Sequence, residues 1–170
     1  MSSNVQYVTL GIERDTFGIP VACVEEILDM REVSRLPHTP ASLLGLIDVR
    51  GRSIPVIDLR CRLGLPPAAA TASTRILVLR LSCGTAILQI GLVADRVFEV
   101  TDLDRGEVEA VPDVGPHWRS ACVAGVGRRR GGFVIILDVT KLIEAADLTF
   151  TTAAIPTDLR NSLQENLSEK

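Results

Sequence analysis

The sequence predicts a mainly β protein made of two similar small barrels packed together. Three observations predict it. The stretch GLIDVRGRSIPVIDLRCRLGL at 45–65 recurs as GVGRRRGGFVIILDVTKLI at 125–143, with Arg50 falling on Arg130 and Asp58 on Asp138 at one offset of 80 residues (130 − 50). A weaker match precedes it in the same order, with Val24–Leu28 lying over Ala94–Phe98 at an offset of 70 (94 − 24). Apolar residues otherwise come in short runs broken by polar or glycine turns, the pattern of many short strands closing into barrels.

Taken in order, QYVTLGI (6–12) reads as a strand, ERDT as a turn and FGIPV (17–21) as a second strand. VACVEEIL (21–28) shows helical spacing at Val21, Val24, Ile27 and Leu28, and fits either a short helix or a twisted strand edge. VSRLP (33–37) is extended, because a residue before proline avoids the helical region. ASLLG (41–45) reads as one helical turn stopped by Gly45. A hairpin follows in which LIDV rises, Arg50-Gly51-Arg52 turns and SIPVI descends, with Pro55 placing the second strand at an edge or a bulge. DLRCRLGL reads as a short helix with Asp58 as N-cap and Gly64 as terminator. PPAAATAST (66–74) is a surface crossover. RILVLRL (75–81), AILQIGLV (86–93) and DRVFEVTDL then restart the strand pattern and lead to the second hairpin. This divides the chain into subdomains of about 1–65 and 66–148. A tail from 149 follows, expected to be helical from about 157, where Leu159, Leu163 and Leu167 stand four apart.

Composition narrows the function. Hydrophobic residues are 46% and charged residues 23%, an ordinary globular balance. The net charge of −3 gives no electrostatic reason to expect nucleic acid. Cys23, Cys61, Cys83 and Cys122 form no C-x-x-C pair and sit in apolar segments, so they read as buried thiols in a reducing compartment. MSSNVQYV lacks a basic region followed by an apolar stretch, and no apolar run approaches the roughly 18–20 residues of a membrane span, so a cytoplasmic protein is expected. No phosphate loop, nucleophile elbow or H-E-x-x-H motif occurs, and the glycines of GVGRRRGG lead into a strand rather than a helix. Neither catalysis nor any cofactor or metal is therefore expected. The Arg128-Arg129-Arg130 run leaves one alternative, a small-barrel nucleic-acid binder using GRRRGG. With six aromatic residues in the chain, that reading lacks the stacking platforms such binding uses.

The succession from Gln6 to about Ala146 resembles the CheW family of bacterial chemotaxis coupling proteins. The carrying motifs are QYVTLGI, F-G-I-P-V…V-x-E-I (Phe17–Ile27), R-x-P-x-T-P (Arg35–Pro40) and G-L-I-D-V-R-G-x-x-I-P-V-I-D-L-R, with GFVIILDVTKLI similar to the family's closing strand and helix. The resemblance implies two five-stranded, SH3-like barrels forming a single CheW-like domain over 1–148. It also implies a non-catalytic adaptor joining the cytoplasmic tips of methyl-accepting receptors to the regulatory domain of the histidine kinase CheA. Other CheW-like domains in rings are further partners, with no nucleic acid and no direct membrane insertion. The protein is then cytoplasmic and recruited to receptor arrays at the inner membrane. Carried over residue by residue, the receptor-side positions are Val21, Val24, Glu26 and Arg50, flanked by Gly45 and Gly51.

Overall fold

A computed structural model describes residues 4–39, 41–83, 86–111 and 122–144. The expected C-terminal helix lies outside them. The strands are β1 (Tyr7–Ile12), β2 (Asp15–Pro20), β3 (Val24–Asp29), β4 (Leu43–Val49), β5 (Arg52–Asp58), β6 (Arg75–Cys83), β7 (Ala86–Ala94), β8 (Arg96–Thr101), β9 (Val123–Arg129) and β10 (Gly132–Leu137). Two short helices, α1 (Leu59–Arg62) and α2 (Val139–Glu144), follow β5 and β10. The expected helix at each hairpin's end is thus present. Asp58 caps the first by accepting from Arg60 N at 3.1 Å, and Asp138 accepts from Lys141 N at 3.1 Å.

The strands form two five-stranded sheets, ordered β8-β1-β2-β10-β9 and β3-β6-β7-β5-β4. The edge strands of each sheet share no ladder, so each is a curled sheet with SH3-like packing rather than a barrel closed all round. The curl of the second is visible in its inner cluster, where Ile47, Val49, Ile54 and Val56 from one side pack on Ile76 and Val78 from the other.

The sheets do not divide at 65/66, which corrects the expected subdomains. Replacing each strand by its repeat partner (β1 by β6, β2 by β7, β3 by β8, β4 by β9, β5 by β10) converts one sheet order into the other. The first hairpin of each half therefore pairs with the other half's strands. β2 runs parallel to β10 through Gly18↔Ile136, and β7 runs parallel to β5 through Val56↔Gly91. The reason lies in burial. The six residues of β1 are buried on both faces, and in β6 Ile76 and Val78 face the inner cluster while Leu77 and Leu79 face the other sheet. Strands so apolar belong mid-sheet, and each gains its outer neighbour, β8 or β3, from the opposite half.

Pairing also corrects the weaker repeat. β3 and β8 each carry a bulge against their central strand, and matching the bulges puts Val24 on Val97 and Ile27 on Val100, an offset of 73 (97 − 24) rather than 70. Residues 21–28 resolve as a 3₁₀ turn over Val21–Cys23 followed by β3. The expected helical turn at 41–45 is instead the start of β4, where Gly45 sits at a register shift with φ 147°. A Cβ there would lie 2.1 Å from the Ser34 carbonyl oxygen, which accepts from Leu46 N in a two-way bridge. Glycine is what allows that approach. Pro55 is not on an edge strand, since β5 runs between β7 and β4. The parallel ladder to β7 takes only Val56–Asp58, so the missing N–H falls just before it.

The largest core cluster lies between the sheets. Val8, Leu10 and Ile12 of one meet Leu77, Leu79 and Leu81 of the other, with Leu59 and Leu142 of the two helices joining them. Of the cysteines expected to be buried, Cys122 is, whereas Cys23 and Cys61 are half-buried. Burial pushes the Cys23 thiol upward.

Candidate functional site

The β4–β5 hairpin turns on two residues, Arg50 at φ 52° and Gly51 at φ 81°. Positive φ at both centres is the type I′ geometry that matches strand twist. Asp48 Oδ1 closes the turn by accepting from Gly51 N at 2.8 Å. Arg50 thereby takes a backbone region that non-glycine residues rarely occupy, and the β9–β10 hairpin repeats it with Arg130 at 52° and Gly131 at 79°.

This turn holds a largely exposed Arg50 side chain across the sheet to β3. There Arg50 Nη2 meets Glu26 Oε1 at 2.9 Å, with the two side chains 78% and 27% exposed. Upstream of Glu26, Val24 is half-buried against the inter-sheet core, and Val21, in the 3₁₀ turn, is exposed. Gly45 is buried beneath Ser34, whereas nothing stands within 4 Å of a Cβ at Gly51. The structure thus brings Glu26 and Arg50 into contact, with Gly51 shaping the turn that does so. Val21 and Val24 follow one another along the chain into β3, and Gly45 fixes the start of β4.

Sequence reading missed a second chain of contacts. Arg52 Nη1 donates to Gln89 Oε1 at 3.1 Å, and Gln89 Nε2 donates to Glu25 at 2.5 Å. These residues come from three strands, and β7 belongs to the other half of the sequence, so no local pattern announces them. The same holds for Arg60 on α1. It binds Asp95 through Nε at 2.8 Å and Nη2 at 2.7 Å, and Glu13 through Nη1 at 3.0 Å. Its side chain is only 13% exposed. The Arg60 guanidinium holds the Asp95 carboxyl below the usual range, while Asp95 and Glu13 push Arg60 upward. Asp58 moves the other way, raised chiefly by burial.

The nucleic-acid alternative finds no support. Arg128 stacks over Phe133 at 5.0 Å and faces Glu109 at 3.9 Å, and Arg129 pairs with Glu99 at 3.2 Å. Among the described residues, no group of three or more His, Cys, Asp or Glu side chains is placed to hold a metal ion, and no helix is long and apolar enough to cross a membrane.

Fold and site together define a duplicated two-sheet β protein whose candidate site is an exposed ionic and apolar surface, the form of a binding scaffold. The chain belongs to the CheW-like domain family, whose sequence model matches residues 6–147. It is 27% identical over 143 residues to the chemotaxis protein CheW of Treponema pallidum, covering 84% of each chain. It is also 27% identical over 140 residues to that of Klebsiella aerogenes, covering 82% of this chain and 81% of the relative. Its structure superposes on the crystal structure of the scaffolding protein TtCheW from Thermoanaerobacter tengcongensis with a TM-score of 0.75. Identity there is 26%, covering 86% of this chain and 92% of the other.

Proposed function

We propose that this protein is a non-catalytic scaffold of a chemosensory array, coupling the cytoplasmic tips of methyl-accepting receptors to the regulatory domain of CheA. It works in the cytoplasm, recruited to arrays at the inner membrane. The working unit is a single CheW-like domain over 1–148 with 149–170 as an appended tail, and the receptor-side surface consists of Val21, Val24, Glu26, Gly45, Arg50 and Gly51.

The observation that carries this reading is the Arg50–Glu26 pair, held by a two-residue turn on an open surface of a CheW-like domain. An ion pair this exposed contributes at most about 1 kcal/mol to folding. A pair that gives the fold so little is available for recognition. Val21 and Val24 supply apolar area for a helix laid against them, the helix-in-groove mode, while Arg50 and Glu26 fix its direction by charge.

The test is titration of a receptor cytoplasmic fragment against Arg50→Glu and Arg130→Glu, with thermal melts of both. Arg130 has the same hairpin geometry without the receptor role. Arg50→Glu should weaken receptor binding by about 2 kcal/mol, roughly thirtyfold, with stability unchanged to within about 0.5 kcal/mol. Equal effects of the two reversals, or a melting collapse confined to Arg50→Glu, would reduce Arg50 to a turn residue.

A further inference from the structure

The repeat lets the two sheets be compared position by position. Arg52, Gln89 and Glu25 form the hydrogen-bonded chain across the end of the second sheet. Their counterparts at offsets 80 and 73 are Gly132, Thr16 and Phe98 (52 + 80, 89 − 73, 25 + 73). Small and aromatic residues replace the polar chain, and that end of the first sheet is an open cavity of about 610 Å³. Phe98 and Phe133 line it and are 51% and 61% exposed, two of the chain's four phenylalanines.

Its rim carries charges of both signs. Arg96 lies 5.4 Å over the Phe98 ring and Arg128 lies 5.0 Å over Phe133. Arg129 lines the cavity, and although it pairs with Glu99, its Nε is buried and has no acceptor among the described residues. Arg130 adds a further charge at the adjoining hairpin tip, and the acids Glu99, Glu109, Asp104 and Glu107 stand around the same four arginines. Such a surface fits an apolar helix face flanked by charged residues.

We propose that this cavity is the docking place of the chain's own C-terminal segment, residues 158–168. That segment is where the sequence sets Leu159, Leu163 and Leu167 on one helical stripe. Within it Asp158 and Glu165 stand against Arg160, charges of both signs like those of the rim. Length suffices. α2 ends at Glu144, and the 13 residues 145–157 span about 43 Å when extended. The six-residue strand β10 that separates α2 from the cavity is only about 20 Å long. A helix this short is marginal alone in water, so contact with Phe98 and Phe133 is what orders it. The docked segment covers the two phenylalanines.

Hydrogen exchange read by mass spectrometry on the full chain tests this. Amides of 158–168 should exchange about tenfold or more slower than in a synthetic peptide of the same sequence, since opening a docked segment takes at least about 1.4 kcal/mol. Phe133→Asp should return them to the peptide rate while β6 and β7 stay protected. Leu159→Ser with Leu163→Ser should reciprocally speed exchange in β8. Peptide-like exchange of 158–168 in the unaltered chain would overturn the proposal, as would protection indifferent to both sets of variants. Protection that grows with protein concentration would assign the cavity to a second copy and overturn the intramolecular contact.

Discussion

Replacing Asp95 by Ala should destabilise the protein by about 2–3 kcal/mol, because Arg60 then keeps its charge and loses its best partner. Two hydrogen bonds at 2.7 and 2.8 Å join the guanidinium to Asp95, and a third runs to Asp95 from Glu13 N at 2.8 Å. A hydrogen bond to a charged group contributes about 1.5–3 kcal/mol, and breaking a buried pair costs about 3–5. Asp95 is 30% exposed and Glu13 46%, so water and Glu13 recover part of that loss. Urea unfolding should show the midpoint falling by about 1–2 M at an ordinary slope for this size. Asp29→Ala is the control. Its partner Arg75 lies 3.4 Å away and Asp29 is 90% exposed, so about 0.5 kcal/mol or less is expected. The effect should also depend on pH with a definite sign. Asp95 has a depressed pKa in the fold, so its contribution is complete above the unfolded value of about 4 and is lost as pH falls through the lower folded value. Asp58, raised by burial, works oppositely and gains stability as pH falls. The gap between wild type and Asp95→Ala should therefore be full at pH 6 and close on further acidification below about pH 4. A loss at pH 6 no larger than that of Asp29→Ala would refute the reasoning.

Gly45→Ala should be severe, about 3 kcal/mol or more, because its Cβ meets the Ser34 carbonyl, whereas Gly51→Ala meets only backbone strain of about 1–2 kcal/mol. Calorimetric melts of the two variants distinguish them, and equal shifts would contradict the close approach seen at Gly45. A cut within residues 66–73 should leave the two pieces associated and cooperatively folded under native conditions, since each supplies strands to both sheets. Size-exclusion chromatography of the nicked protein reads this directly, and separation into two folded halves would contradict the strand exchange.

Local signals were legible in the sequence and long-range ones were not. An Arg-Gly pair between apolar runs marked both hairpins, and an aspartate at the end of each marked the helix caps, because turns and caps are settled within four residues. At 41–45 the same local reading failed, since Gly45 answers to Ser34 across the sheet rather than to its own neighbours. Pro55 left an edge or a bulge open, and only pairing shows that it lies inside the sheet, one residue from the register shift between Leu43 and Gly45. Exchange of the hairpins had one trace in the sequence, the mostly apolar character of YVTLGI and ILVL against the alternation of VEEILD. That contrast separates central strands from edge strands without saying whose sheet they enter. At the candidate site, the family resemblance pointed to Arg50 and Glu26, which lie in contact. The Arg52–Gln89–Glu25 chain joins residues as far as 64 positions apart, and no spacing rule reaches that distance.

The exchanged hairpins also bear on ancestry. Two chains of about 70–80 residues, each donating its first two strands to the other, would make a self-complementary dimer with twofold symmetry. Joining them end to end through a segment like PPAAATAST yields the present connectivity without moving any strand. Fusion then frees the two copies of a surface to change separately, which identical subunits cannot do. The polar chain at one sheet end and the phenylalanines at the other are what such freedom leaves behind: a symmetric molecule turned into one with two different ends.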